Sequence, residues 1–438
     1  MRKNFFILLL IYNLIFIPIL FITFHLLGLF NKKVKRGING RKNLFKDLEQ
    51  KTKEKFNPEK PVFWFHCASL GEFEQAKPII LKLREKVNPN IIVTFFSPSG
   101  FEPSKNYQFA NVISYIPFDS LSNAKKFINL IKTRENYLFL MKYDFWLNHL
   151  YFAHRNKFNL CLANAFINES KVSNLFKRFF YKTIYELFDF IFLISNEDKN
   201  SLEKLNPLLS KRAKVFITGD TRYDQVYLRS QDASKKAIVP ESVIKSNDGT
   251  RRKIFVVGSS WEEDEKVIIP AIIKIQKYEP KLLTILVPHE PTEENIEKIE
   301  KELDNKLTSI RFSKIENYKD EKVVIVDGIG FLMTLYAYAD VAYVGGSFKQ
   351  GIHNVLEPAT YGIPVIYGPK IQNSPEAQKL AQIGGGIVIK NEKQFYKALR
   401  KILSDENLRK EIGQKSFELV KSNLGATDKI IKAIGLSS

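Results

Sequence analysis

The 438-residue chain holds two cysteines, Cys67 and Cys161, and each lies in an apolar run. Two thiols placed this way exclude a disulfide framework and read as buried, reduced side chains. The six histidines are scattered, with no H-E-x-x-H and no Cys/His cluster, so no metal site and no cofactor is read from the sequence. No RNA- or DNA-binding motif is present, and no ladder of aromatics interleaved with cations, so no nucleic-acid partner is expected. No short-period repeat runs through the chain. The apolar stretch near its start does not end in a small-residue cleavage site, which argues against a removable signal peptide.

What the chain does have is charge of one sign. Lys and Arg number 67 against 47 Asp and Glu, a net charge of +20. From Asn31 to Lys60 there are eleven Lys/Arg against four Asp/Glu, directly after the apolar segment Phe5–Phe30. That arrangement favours an anionic membrane surface as the partner. The segment is broken only by Asn13, Pro18, Thr23, His25 and Gly28, and about 20 apolar residues suffice to span a bilayer as a helix. The basic flank Lys32, Lys33, Lys35, Arg36, Arg41 and Lys42 puts the rest of the chain on the cytoplasmic side. A helix lying in the interface is the other reading. Residues 1–31 are expected to be the membrane anchor and 32–60 a basic juxtamembrane segment.

From Pro61 short apolar runs alternate with amphipathic stretches. Strands are expected at Val62–His66, Ile91–Phe95, Val112–Tyr115, Tyr137–Met141, Phe158–Leu162, Phe190–Ile194 and Val215–Thr218. A polar stretch with turn clusters, 231–252, reads as a linker. A second series comes after it at Ile254–Val257, Leu282–Val287, Val323–Val326, Val341–Val344, Pro364–Tyr367 and Gly386–Ile389, and charged helices end the chain from Asn391. Such alternation means parallel sheets covered on both faces. The expected fold is α/β with two Rossmann-like domains, 61–230 and 253–438, facing a cleft. That is the architecture of GT-B type glycosyltransferases, here with an N-terminal membrane-anchor helix.

Chemistry is expected at the carboxyl ends of these strands. In Pro61–Pro78 an apolar run ends in the turn Cys67–Gly71, and a helical rhythm begins at Glu72. Glu72 is either a working carboxylate or a plain first-turn acid stabilised by the helix dipole. In Val341–Pro369 a strand runs into Gly345-Gly346-Ser347, then a loop, then a helix near His353 or Asn354, with Glu357 one turn inside it. Glycines there let backbone approach a ligand, and a helix N-terminus offers N–H groups to a phosphate. The loop Gly258-Ser259-Ser260-Trp261 either caps a helix or meets the same phosphate, and His289-Glu290 ends another strand between prolines.

The blocks Ala68-Ser69-Leu70-Gly71-Glu72, Gly258-Ser259-Ser260-Trp261, Val287-Pro288-His289 and Gly345 to Pro369 resemble, in order and spacing, the 3-deoxy-D-manno-octulosonic acid (Kdo) transferases of lipopolysaccharide synthesis. The resemblance covers nearly the whole chain. It implies an inverting transfer of Kdo from the donor CMP-Kdo to a lipid A precursor (lipid IVA), at the cytoplasmic face of the inner membrane. It makes Glu72 the general base, with Asp144 and Arg222 steadying the transition state. It carries CMP contacts to His289, Glu290, Ile329, Gly330, Phe331, Asn354, Val355, Leu356 and Glu357, beside Gly345, Gly346 and Ser259. The first Rossmann-like half would then be the acceptor domain and the second the donor domain. The chain departs from the family's usual residues at His289-Glu290, Phe331, Asp144 and Arg222, the last standing where a Lys is usual. With Arg222, lysines and helix N-termini at the phosphate, the transfer is expected to need no metal. Glu74 is expected to be a surface charge. Two alternatives stand beside this reading: another membrane-associated GT-B transferase using a nucleotide sugar on a lipid acceptor, and a non-catalytic tethered nucleotide-binding protein.

Overall fold

The computed structural model describes residues 3–167, 174–246 and 248–436. Asn247, in the expected linker's turn cluster, lies outside the described residues. Among the described residues fourteen strands form two seven-stranded parallel sheets. The first holds β1 Val62–Cys67, β2 Asn90–Phe95, β3 Val112–Tyr115, β4 Asn136–Met141, β5 Asn159–Ala165, β6 Phe190–Leu193 and β7 Lys214–Ile217. Their order is β3-β2-β1-β4-β5-β6-β7. The second holds β8 Ile254–Ser260, β9 Leu283–Pro288, β10 Ser309–Arg311, β11 Val323–Ile325, β12 Val341–Val344, β13 Val365–Tyr367 and β14 Gly386–Val388. Their order is β10-β11-β9-β8-β12-β13-β14.

Both sheets are doubly wound, and the sequence shows why. Phe63 and Phe65 of β1 pack with Ala76, Ile79, Ile80 and Leu83 on one face, while Val62 and Trp64 pack with Phe127 and Leu150 on the other. A strand buried on both faces reads as one continuous apolar run instead of an alternation. Each such side chain taken from water stabilises the fold by about 1.5–3 kcal/mol. In each sheet the strand order reverses beside the first strand, between β1 and β4 and between β8 and β12. Loops leaving those strand ends open the crevice where ligands of open α/β sheets bind.

Chain contacts divide the molecule into two compact units, Met1–Gln225 with Leu424–Ser438, and Val226–Asn423. This differs from the expected linker at 231–252. The change of unit falls inside the helix Thr221–Ala233, and the stretch after it holds a further helix, Glu241–Ile244, and a bridge from Lys245 to Arg251. It also differs at the end of the chain. The last helix, Ala426–Ala433, packs on the helix Leu70–Lys86 of the first unit. Asp224 fixes it by accepting bonds from the backbone N–H groups of Gly425 and Thr427, both at 2.7 Å.

Near the start, one helix runs from Asn4 to Phe30 and is long and apolar enough to cross a membrane. It widens to π geometry over Tyr12–Phe16, just before Pro18, whose missing N–H and bulky ring disturb the turn ahead of it. Its first half lies on the first unit. Phe5, Leu8, Leu9, Tyr12 and Ile17 are buried there, Tyr12 donates to Asp119 at 2.7 Å, and Asn13 and Asn148 exchange bonds at 2.8 and 2.9 Å. The opposite face, with Leu14, Ile15, Ile19 and Ile22, is apolar and exposed.

Candidate active site

In the first unit, β1 ends at Cys67 and Ser69 caps the helix Leu70–Lys86, accepting from the Glu72 N–H. Glu72 therefore stands in the first turn, and its carboxylate reaches back to accept the Ala68 N–H at 2.5 Å. The carboxylate is half-buried. Burial pushes its pKa above the ordinary value, and the Ala68 N–H, His66 and Lys142 pull it part of the way back while Asp144 adds to the rise. Asp144 leaves the neighbouring β4 through Lys142, whose backbone has φ +67°. That left-handed residue, rare for a side chain with a Cβ, turns the chain so that Asp144 faces the end of β1.

Asp144 is held by two partners that the sequence reading did not assign. His66 Nε2 lies 2.9 Å from Asp144 Oδ2, and the Trp146 indole N–H donates to the same oxygen at 3.0 Å. Behind them Thr94 is fully buried, with its hydroxyl 2.9 Å from His66 Nδ1 and accepting from Trp64 at 2.8 Å. With the indole proton already on Thr94, the hydroxyl proton is available to His66 Nδ1, and Nε2–H then donates to Asp144. The local signal for this cluster is faint, since His66 reads only as the polar end of an apolar strand.

Arg222 opens the helix Thr221–Ala233. Its guanidinium donates to Asp220 Oδ2 through Nε at 2.8 Å and pairs through a second nitrogen at 2.7 Å. Asp220 is buried, and its other oxygen accepts the Arg222 N–H and the Gln75 side chain. Gln75 belongs to the helix that carries Glu72, so the three expected catalytic residues share one end of one sheet. Glu74 is not a surface charge. It is half-buried, pairs with Lys77 and accepts from Gln225 at 2.9 Å, because its helix face is the one that meets the helix at Thr221.

In the second unit, the ends of β8 and β12 come together. Ser259 has φ +53°, and Gly345 lies so close to its carbonyl oxygen that a Cβ there would sit 2.1 Å away. The cap of the next helix, Glu262–Gln276, is Trp261, not Ser259 or Ser260. Asp264, with no exposed surface, ties the loops together. It accepts the Trp261 N–H at 3.0 Å, the Gly346 N–H at 2.8 Å and the Tyr343 hydroxyl at 2.8 Å. Three donors justify a buried carboxylate that burial alone would penalise.

The other expected donor residues divide by exposure. His289, Glu290, Ile329, Gly330 and Asn354 are exposed, and Phe331 packs on Phe312 with the rings tilted and their centroids 5.0 Å apart. Val355 and Leu356 turn their side chains into the core, which leaves only their backbone groups for a ligand. The helix expected near His353 starts later and is short, Leu356–Ala359, so Glu357 is in its first turn and not one turn inside it. Glu357 pairs with Arg229 at 3.4 Å. Two aromatic partners escaped the sequence reading. The rings of Trp261 and His289 stack at 4.5 Å, those of His289 and His353 at 4.4 Å, and the Trp261 indole donates to His353 Nε2 at 2.9 Å. Burial, with His289 alongside, lowers the His353 pKa to about 4, so this imidazole is neutral at pH 7.

The chain is similar to proteins of known family. Residues 42–225 match the family described as 3-deoxy-D-manno-octulosonic-acid transferase (kdotransferase). A 3-deoxy-D-manno-octulosonic acid transferase of Aquifex aeolicus is 30% identical over 365 residues, covering 82% of this chain and 90% of that protein. A bifunctional glycosyltransferase/methyltransferase of Fusobacterium nucleatum is 27% identical over 87% of this chain, which spans 57% of that longer protein. Among solved structures, a UDP-GlcNAc 2-epimerase from Neisseria meningitidis covers 86% of this chain and 99% of its own, with a TM-score of 0.58 at 15% identity. That likeness fixes the fold as GT-B type. The chain belongs to the 3-deoxy-D-manno-octulosonic acid transferase family, and is a glycosyltransferase.

Proposed function

We propose that the protein moves Kdo from CMP-Kdo to a lipid A precursor, with inversion, and that Glu72 is the general base. The carboxylate of Glu72 takes the proton of the acceptor hydroxyl. The freed oxygen forms a bond to the anomeric carbon, the bond from that carbon to the CMP phosphate oxygen breaks, and CMP leaves with the electron pair. Asp144 and Arg222 steady the charges that move. The second unit recognises CMP through the Ser259 and Gly345-Gly346 backbone, the exposed His289, Glu290, Ile329, Gly330, Phe331 and Asn354, the backbone of Val355 and Leu356, and Glu357.

The observation that carries this reading is the state of Glu72. A half-buried carboxylate at the reversal point of the first sheet, its pKa raised by burial and by Asp144, is poised nearer to neutral pH than a surface acid, as a base should be. The exposed apolar face of the Asn4–Phe30 helix and the cations after it suit an anionic lipid acceptor and an inner-membrane surface, with the chemistry in the cytoplasm.

The test is incubation with CMP-Kdo and a tetraacylated lipid A precursor, read by mass spectrometry of the lipid. Addition of Kdo by the native protein and its loss in Glu72→Gln by about 10²–10⁴-fold is the expected result. Full transfer by the Glu72→Gln protein would sink the base assignment. Inhibition by UDP but not CMP would move the donor to another nucleotide class, and loss of activity on adding a chelator would overturn the expected metal-independence.

A further inference from the structure

A cavity lies in the first unit, between the N-terminal helix and the loop after β3. It measures about 460 Å³ and is walled by Phe21, Phe24, Phe45 and Phe118, with Arg41 and Lys42 at its lining. Its walls are almost wholly apolar, and its size falls within the range of small-ligand sites. Phe21 meets Phe118 edge to face at 5.2 Å, so the helix itself forms one wall.

Arg41 is the unusual member. Its guanidinium is enclosed by the rings of Phe24, Phe96 and Tyr115, at 5.9, 5.1 and 4.7 Å. It donates to the carbonyls of Gly37, Phe96 and Ile116 at 2.8, 2.7 and 2.9 Å. Among the described residues no carboxylate pairs with it. Burial of a cation without a counter-charge is costly, and here it lowers the Arg41 pKa to about 10. The side chain stays charged at pH 7, and an anion beside it would offset that cost. Arg41 also connects to the catalytic end of the sheet. Phe96, whose carbonyl it binds, stacks on Trp146 at 4.8 Å, and Trp146 donates to Asp144.

We propose that this cavity takes an acyl chain of the acceptor lipid and that Arg41 receives the phosphate at the head of that lipid. This rests on the lipid-acceptor reading above. It gives the N-terminal helix a second part to play, as a wall of the acceptor site. The cations Lys32, Lys33, Lys35 and Arg36 just after the helix draw the same anionic lipid toward the cavity mouth.

The test uses a tetraacylated, diphosphorylated glucosamine disaccharide with a photoreactive diazirine in one acyl chain, mixed with the full chain in detergent. Labelled peptides are mapped by mass spectrometry. Labelling of residues 21–45 and 117–123, at least tenfold above that by a diazirine-bearing phosphatidylglycerol, is expected. Equal labelling by both lipids, or labelling confined to the outer face around Leu14, Ile15 and Ile22, overturns the proposal. Because labelling needs no turnover, it stands or falls apart from the transfer reaction. Phe21→Asp, a change on a half-exposed ring, should cut the labelling at least tenfold and raise KM for the acylated acceptor. It should leave KM for CMP-Kdo, and the rate with a deacylated acceptor, unchanged. Arg41→Gln should weaken labelling by the diphosphorylated lipid and spare that by its dephosphorylated form; equal loss on both removes the phosphate from the proposal.

Discussion

Glu72 is ionised only above a pKa that burial and Asp144 hold higher than normal, which bears on stability and, in the proposed role as base, on rate. A base must be unprotonated, so kcat/KM should rise with pH along a limb set above the ordinary glutamate range and fall away below it. In Asp144→Asn the repulsion is gone and the limb should move to lower pH; an unmoved limb in a pH–rate profile would detach Asp144 from Glu72. Stability runs the other way. The folded protein keeps the Glu72 proton at pH values where the unfolded chain has lost it, so this group contributes less stability as pH rises through that window. Glu72→Gln should therefore raise Tm at neutral pH while slowing transfer by about 10²–10⁴-fold, the trade expected where stability is given up for a catalytic role. The local pattern alone leaves Glu72 open between catalyst and first-turn acid, and it is the family resemblance that makes it the base. Its Ser69 cap and helix rhythm were readable locally. Its neighbours His66, Thr94 and Trp146 were not, because they arrive from separate strands and loops and no local spacing links them.

Among the elements, the helix Glu262–Gln276 organises the second unit through Asp264. Asn there can offer its oxygen to one side only and turns its NH₂ toward the other donors. Asp264→Asn should cost about 2 kcal/mol for the donors left unpaired, read by denaturant unfolding. It should also weaken CMP binding by tenfold or more, because Gly346 loses its tether; unchanged CMP affinity in calorimetry would show the loop is held without it. Strands were the most legible elements. Thirteen of the runs read as strands coincide with observed ones, since a parallel strand buried on both faces is a plain apolar run. β10 was missed because Ser309-Ile310-Arg311 has one apolar residue. The Trp261–His289–His353 stack was missed for another reason: it joins three loops from the ends of different strands, and only the folded sheet brings them together.

At the scale of the whole molecule, the proposed membrane surface sets a test: the net charge of +20 and the basic stretch after the apolar helix should make binding to anionic vesicles depend on salt. Each of Lys32, Lys33, Lys35 and Arg36 changed to Gln should weaken binding by about 1 kcal/mol, roughly fivefold, at low ionic strength. Raising the salt should erase the difference. Cosedimentation with phosphatidylglycerol vesicles measures it, and a salt-insensitive affinity would leave the apolar face as the whole anchor. The two α/β halves were legible from strand alternation. The allegiance of the last helix was not, because a charged amphipathic stretch carries no mark of which core its Ile430 and Ile431 will enter. That helix sets an order of events at the ribosome. The first unit is made before the second but lacks the stretch from Leu424 onward until Val226–Asn423 has been made. At about 5–20 residues per second, the intervening unit occupies roughly 10–40 s. Through that time Asp224 has no Thr427 to bind and the helix Leu70–Lys86 lacks the helix that covers it, so the first unit closes its core only after the second has been made.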